Sequence, residues 1–279
     1  MLGTAHLAQP GNYAAAGTIV TITQPPRQQR PALCDIGAYS ALFAAPTYSS
    51  FLLSRWTRPA ASRGAAFISE LEAPGQPYNW LFRLSDIASG LAIVVTALGV
   101  FVLLEQQRRA NLVAVLVACV GVGSLIDGTT TMSCSPSVDQ RCAAAESTAS
   151  GLLQQLNQLH TDSGLIGFLS AAIGAVLLGM TLMVSSARWG RLMIAIGLTI
   201  AATGLLDICL LLAGADIGTT ERLRTLLTSA WLASIGILLL RARPILTSAK
   251  PANQHDPAAK ATMTVAQSAR TQMTIEEST

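Results

Sequence analysis

Leu192-Met-Ile-Ala-Ile-Gly-Leu-Thr-Ile-Ala-Ala-Thr-Gly-Leu-Leu-Asp-Ile-Cys-Leu-Leu-Leu-Ala213 runs for 22 residues with one charged side chain, Asp207. A bilayer's hydrocarbon core is about 30 Å thick, and about 20 apolar helical residues cross it. The stretch therefore reads as a membrane span. Five more stretches reach or approach that length: Cys34–Trp56, Ser85–Leu104, Ala110–Ile126, Leu165–Val184 and Leu226–Leu240. Together they predict an all-α, polytopic membrane protein, a six-helix transmembrane bundle with disordered tails. The first stretch is the most interrupted, because it holds Pro46, Tyr48, Ser49 and Ser50. Proline is tolerated in a membrane helix where neighbours satisfy the freed carbonyl. If this stretch does not span, five helices remain and the N-terminus lies outside.

Composition agrees. Of 279 residues, 51% are hydrophobic and 12% charged, against about 25% charged in a soluble domain. The mean hydropathy is +0.47. A net charge of +3, with no basic patch interleaved with aromatics, points away from a nucleic-acid partner. Met1–Val20 lacks a basic segment leading into an apolar core, so the first helix is expected to act as the targeting signal. Residues 1–32, rich in Gly, Ala, Thr, Gln and Pro, read as a disordered tail, and residues 244–279 as a second one. Residues 33–243 form the transmembrane domain between them, with no internal repeat that would mark a duplicated transporter.

Lys and Arg in short loops concentrate on the cytoplasmic side. With both ends inside, the inner side receives 11 basic residues and the outer side 7, and the two short inner loops hold Arg108 with Arg109 and Arg188 with Arg191. The expected location is the cell membrane with both termini cytoplasmic. Cys134 and Cys142 then fall in an outer loop, where an oxidising compartment favours a disulfide. Two unpaired thiols are the alternative. Zinc is disfavoured because no second Cys or His pair lies nearby. Cys34, Cys119 and Cys209 lie in apolar stretches and read as small buried hydrophobes.

Ionisable groups in a bilayer are costly and mark candidate sites. Asp207 sits in the fifth span, Asp86 opens the second, Asp127 closes the third, and His160 with Asp162 opens the fourth. All fall in the outer third of the bundle or at its rim. Gly197, Ala201, Gly204 and Asp207 recur as one stripe, as do Gly164, Gly167, Ala171 and Gly174. Small stripes let membrane helices approach closely, so the carboxylates are expected to face inward. One reading is an outward-facing polar pocket built from Asp86, Asp127, His160, Asp162, Asp207, Arg83 and Arg222, able to bind a cation, relay protons or act as acid and base. The other is structural: Asp86 and Asp162 cap helices, and Arg83, Arg222 and Arg224 pair with carboxylates. A lone His160 cannot supply the paired ligands of a b-type haem and makes a zinc hydrolase improbable. No metal or cofactor is expected. Gly-x-Ser-x-Gly and phosphate-loop motifs are absent.

The first outer loop carries Gly75, Pro74 and Pro77, which force turns, then Tyr78, Trp80 and Phe82. The aromatics suit an interfacial anchor, the favoured reading; the alternative is a re-entrant loop covering the pocket. The run Ile68-Ser-Glu-Leu-x-Ala-Pro-Gly-Gln-Pro-Tyr78, then Trp80-Leu-Phe-Arg-x-x-Asp86-x-x-x-Gly90, resembles the domain-of-unknown-function 998 family of membrane proteins. Ile126-Asp127-Gly128, Cys134-x-Pro136 with Cys142, His160, and Glu221-Arg222 followed by Trp231 add to the likeness. It covers roughly residues 34–243. It implies a six-helix membrane protein and places Asp86, Asp127, Cys134, Cys142, His160 and Arg222 at the family's motif positions. It carries no activity, and the long N-terminal tail departs from its pattern.

Three functions therefore compete. The first is a binding or transport-related protein whose outward pocket takes a lipid headgroup or small solute. The second is a membrane enzyme acting on an outer-leaflet lipid or envelope precursor, with His160 and Asp127 or Asp162 as base and acid. The third is an accessory subunit whose polar residues only lock helices together. Membrane lipids are the expected partners.

Overall fold

In the computed structural model, the described residues are 30–57, 66–104, 110–132, 134–148 and 159–248. Residues 1–29 and 249–279, which hold most of the two expected tails, lie outside them. Described helix reaches past both expected tail boundaries, starting at Arg30 and ending at Ser248. The long helices are α1 (Arg30–Tyr48), α2 (Asn79–Leu104), α3 (Ala110–Thr129), α5 (Leu159–Leu182), α6 (Ala187–Leu212) and α7 (Gly218–Ser248). A short outer helix, α4 (Gln140–Thr148), lies in what the sequence showed only as a loop. No strand occurs among the described residues. Helix is the expected solution in lipid, where every backbone polar group needs a partner within its own segment.

Five helices are long and apolar enough to cross a membrane: Asn79–Leu104, Asn111–Thr129, Asp162–Leu182, Ala187–Leu212 and Gly218–Ala242. This is the composition of a multi-pass membrane protein. α1 is not among the five, and Pro46 sits in its last turn. It is nevertheless central to the packing, since Cys34, Ala38, Ala41 and Ala44 are fully buried.

The six long helices close into a ring. Each packs on its neighbours in the order α1, α2, α3, α5, α6, α7, and α7 returns to α1. Small residues set the spacing. At the α2–α3 crossing, a Cβ at Gly90 would sit 2.7 Å from the Gly121 carbonyl, and one at Gly121 2.7 Å from the Gly90 carbonyl. In α6 the buried face runs through Gly190, Met193, Gly197, Ile200, Gly204 and Asp207. Ala201, expected in that stripe, is exposed. The 3.6-residue turn carries it off the face that holds Gly197 and Gly204. α6 stops at Gly214, whose φ of +68° suits a residue without Cβ. There the Ala215 N–H reaches the Leu210 carbonyl at 2.9 Å and the Gly214 N–H reaches Leu211 at 3.0 Å.

The loop before α2 and the loop after α3 fold together onto one end of the ring. Cys134 and Cys142 form a disulfide with a Cα–Cα distance of 6.1 Å. Of the remaining cysteines, Cys34 is buried as expected and Cys119 half-buried, but Cys209 is exposed on the bundle's outer face.

Candidate functional site

Where the outer loops meet the ring, a polar cavity of about 110 Å³ opens. α1 contributes Tyr48 from its last turn, and α2 and α3 contribute Asp86 and Asp127. α5 adds His160, Gly164 and Phe168, and α7 adds Glu221, Arg224, Thr225 and Thr228. The remaining wall is a 3-10 turn, Ile68–Glu72, which contributes Ile68, Ser69 and Glu72. This segment of the loop before α2 thus forms a lid-like part of the cavity wall. Of the three aromatics read as an interfacial anchor, Tyr78 and Trp80 just beyond it are exposed and Phe82 is buried. Gly75 (φ +81°) and Tyr78 (φ +57°) take left-handed backbone and turn the chain from lid to helix.

The lid is held from both sides. Glu70, 1% exposed, accepts the Phe67 N–H at 3.1 Å, the Ser137 N–H at 3.0 Å, the Ser137 hydroxyl at 2.5 Å and the Ser135 hydroxyl. It therefore joins the first outer loop to the disulfide loop. The Ile68 N–H donates to Glu221 Oε2 of α7 at 2.9 Å.

Glu72 is 3% exposed, and its Oε2 accepts no hydrogen bond. The Asp86 carboxyl stands beside it in the cavity wall. Burial first, and then the charge and hydrogen bond of Asp86, push the Glu72 carboxyl up to about 11, so it keeps its proton at neutral pH. Asp86 lies two turns inside α2, which begins at Asn79, and so is not an N-terminal cap. Its backbone carbonyl accepts the hydroxyls of Ser89 at 3.0 Å and Ser124 at 2.9 Å.

Asp127 Oδ1 accepts the Ser163 hydroxyl at 2.5 Å and lies 3.4 Å from His160 Nδ1. That nitrogen is close but not aligned for a hydrogen bond. On the far wall, Arg224 pairs with Asp207 of α6, and its guanidinium lies over the Phe168 ring, 5.2 Å from the centroid. Asp207 is 3% exposed and also accepts the Thr220 hydroxyl.

Of the residues singled out from sequence, Asp86, Asp127 and His160 line the cavity, whereas Asp162, Asp207, Arg83 and Arg222 do not. Asp207 acts one step back, behind Arg224. Arg83 Nε donates to the Gly128 carbonyl at 3.2 Å, and Arg222 donates to the Gly218 carbonyl at 2.8 Å. Asp162 sits in the first turn of α5. Tyr48, Glu72 and Glu221 went unrecognised as site residues, and Arg224 was considered only as an ion-pair partner. Glu221 stood within a family-like motif and Glu72 at the unspecified position of another, and only the fold of the lid reveals that both line the cavity and that Glu72 is buried. Among the described residues, no three His, Cys, Asp or Glu side chains converge to hold a metal ion.

A model of the family described as a protein of unknown function (DUF998) matches residues 41–238, from within α1 to within α7. No curated protein and no solved structure matches the chain.

Proposed function

The chain belongs to the DUF998 family, whose description carries no activity, and from the cavity we propose that it binds, or moves, a lipid headgroup or small solute at the outer end of its bundle. The carrying observation is a lidded volume of about 110 Å³ with acidic, hydroxyl and aromatic groups on its walls. A subunit whose polar residues only locked helices together would have no use for such a space, and a dry, packed outer half would have favoured that role. Concave sites with a few convergent polar groups are where ligands bind.

The same reading takes α1 as the sixth span, the cell membrane as the location, and both termini as cytoplasmic. The basic residues at 108, 109, 188 and 191 support that orientation. Native mass spectrometry of the purified chain tests the binding role. The wild type should carry a lipid or solute adduct that Gly164→Leu loses, because Gly164 lines the cavity and a Cβ there meets nothing within 4 Å. An adduct-free wild type, or an adduct indifferent to the substitution, contradicts the reading.

One observation favours a second function. His160 Nδ1 lies 3.4 Å from Asp127 Oδ1 beside the cavity, close enough for an acid–base pair to form once a substrate aligns it. If the protein is an enzyme on an outer-leaflet lipid, His160→Gln should retain the adduct and abolish its turnover.

A further inference from the structure

We propose, resting on the binding role above, that the cavity takes a small organic ammonium group, which enters by displacing the proton that Glu72 shares with Asp86. The charge on the walls sets the sign of the ligand. Four carboxyl groups line the space, Glu72, Asp86, Asp127 and Glu221, against Arg224 and His160. Each already faces a carboxylate, Arg224 on Asp207 and His160 on Asp127. Neither is left to recruit an anion.

Glu72 is the group that points to a ligand. It is almost fully buried, lines the cavity, and has an oxygen that receives no hydrogen bond. Its charged and titratable neighbours are Asp86, Asp127 and Arg83. Tyr48, His160, Glu221 and Arg224 share the cavity with it, and Glu70 is turned away to Ser135 and Ser137. Two carboxyl groups that share one buried site hold one proton between them. An arriving monocation can replace that proton, leaving both groups ionised and counterbalanced. Charge is conserved: the ammonium enters, the proton leaves to water, and no bond other than O–H is broken.

The shape sets the kind of cation. The acids do not converge on a point as metal ligands would. They surround a space, as suits a charge spread over a nitrogen and its carbon substituents. Tyr48 adds an aromatic wall of the type that attracts ammonium groups. At Gly164 there is open space rather than a side chain.

Free amines and lipid headgroups both supply this chemistry, and the test separates them. The full chain in nanodiscs of phosphatidylglycerol is titrated calorimetrically with choline, with tetramethylammonium and with inorganic phosphate, in two buffers of different ionisation heat. Both ammonium ions should bind, phosphate should not, and the buffer dependence should report about one proton released per cation, as the exchange requires. Glu72→Gln should weaken binding roughly tenfold or more and remove the proton release. Gly164→Leu should abolish binding while helix content and elution stay unchanged. If the soluble ions fail but nanodiscs containing phosphatidylcholine or phosphatidylethanolamine stabilise the wild type and not Gly164→Leu, the ammonium belongs to a lipid. No ammonium effect in either arm overturns the proposal. So does ammonium binding that survives both substitutions. Phosphate binding that Gly164→Leu removes also overturns it, while leaving the solute-binding role intact.

Discussion

At the residue scale, two buried carboxyl groups, Asp207 and Glu72, are accommodated differently. Asp207 is paired with Arg224 and accepts the Thr220 hydroxyl, both from α7. Removing one partner of a buried pair leaves the other uncompensated, at a cost of about 3–5 kcal/mol. Asp207→Ala is therefore expected to lower thermal stability in detergent by that order. Asp207→Asn should cost less, because its amide oxygen still accepts the Thr220 hydroxyl. Glu72, pushed up to about 11 from an ordinary 4.5, instead keeps its proton. The sign of the pH effect follows. The folded state holds this proton more tightly than the unfolded one, so the contribution is fully present below about 4.5. It is lost progressively as pH rises from there toward about 11. Between pH 5 and pH 9, wild-type unfolding temperature should fall relative to Glu72→Gln, which cannot ionise. Parallel pH profiles for the two proteins would show that Glu72 is not held neutral.

At the element scale, helix contacts decide which small residues matter. Gly90 and Gly121 bring the backbones of α2 and α3 together, and a Cβ on either would meet a carbonyl oxygen at 2.7 Å. Gly121→Ala should cost about 1–3 kcal/mol through overpacking, measured as a lower unfolding temperature. Ala201→Val, on the exposed side of α6, should be close to neutral. Sequence spacing alone treated Ala201 like Gly197, because steps of three and four both approximate a helical turn. The lid teaches the same lesson. Its prolines, glycine and aromatics were legible as a turning, interfacial segment. Its inward half was not, because burial of Glu70 and Glu72 depends on Ser135, Ser137, Asp86 and Glu221 arriving from elsewhere in the chain.

At the scale of the whole molecule, the ring closes when α7 packs on α1, so α1 is part of the bundle whether or not it spans. Reporter fusions at Arg109, Ser186 and Lys250 should all report the cytoplasm if it is the sixth span. A fusion at Lys250 that reports the outer side would overturn that topology, whereas a reporter at the N-terminus, cytoplasmic with six spans and outside with five, decides whether α1 crosses. Pro46 near the end of α1 gives the sequence reason for the ambiguity.

The sequence alone determined that the chain is helical and membrane-embedded, because bilayer thickness imposes a length and an apolarity that can be read from local composition. It also pointed to the Cys134–Cys142 disulfide, since both cysteines fall in one polar loop between apolar stretches, and it drew attention to Asp86, Asp127 and His160. Only the tertiary structure decided that Asp207 stands behind Arg224, that Arg83 and Arg222 hold helix carbonyls, and that Tyr48, Glu72 and Glu221 complete the wall. Lipid solvation acts on each segment by itself and so leaves its mark in the local sequence. A cavity exists only where side chains from six separate segments meet, and their order along the chain does not encode that meeting.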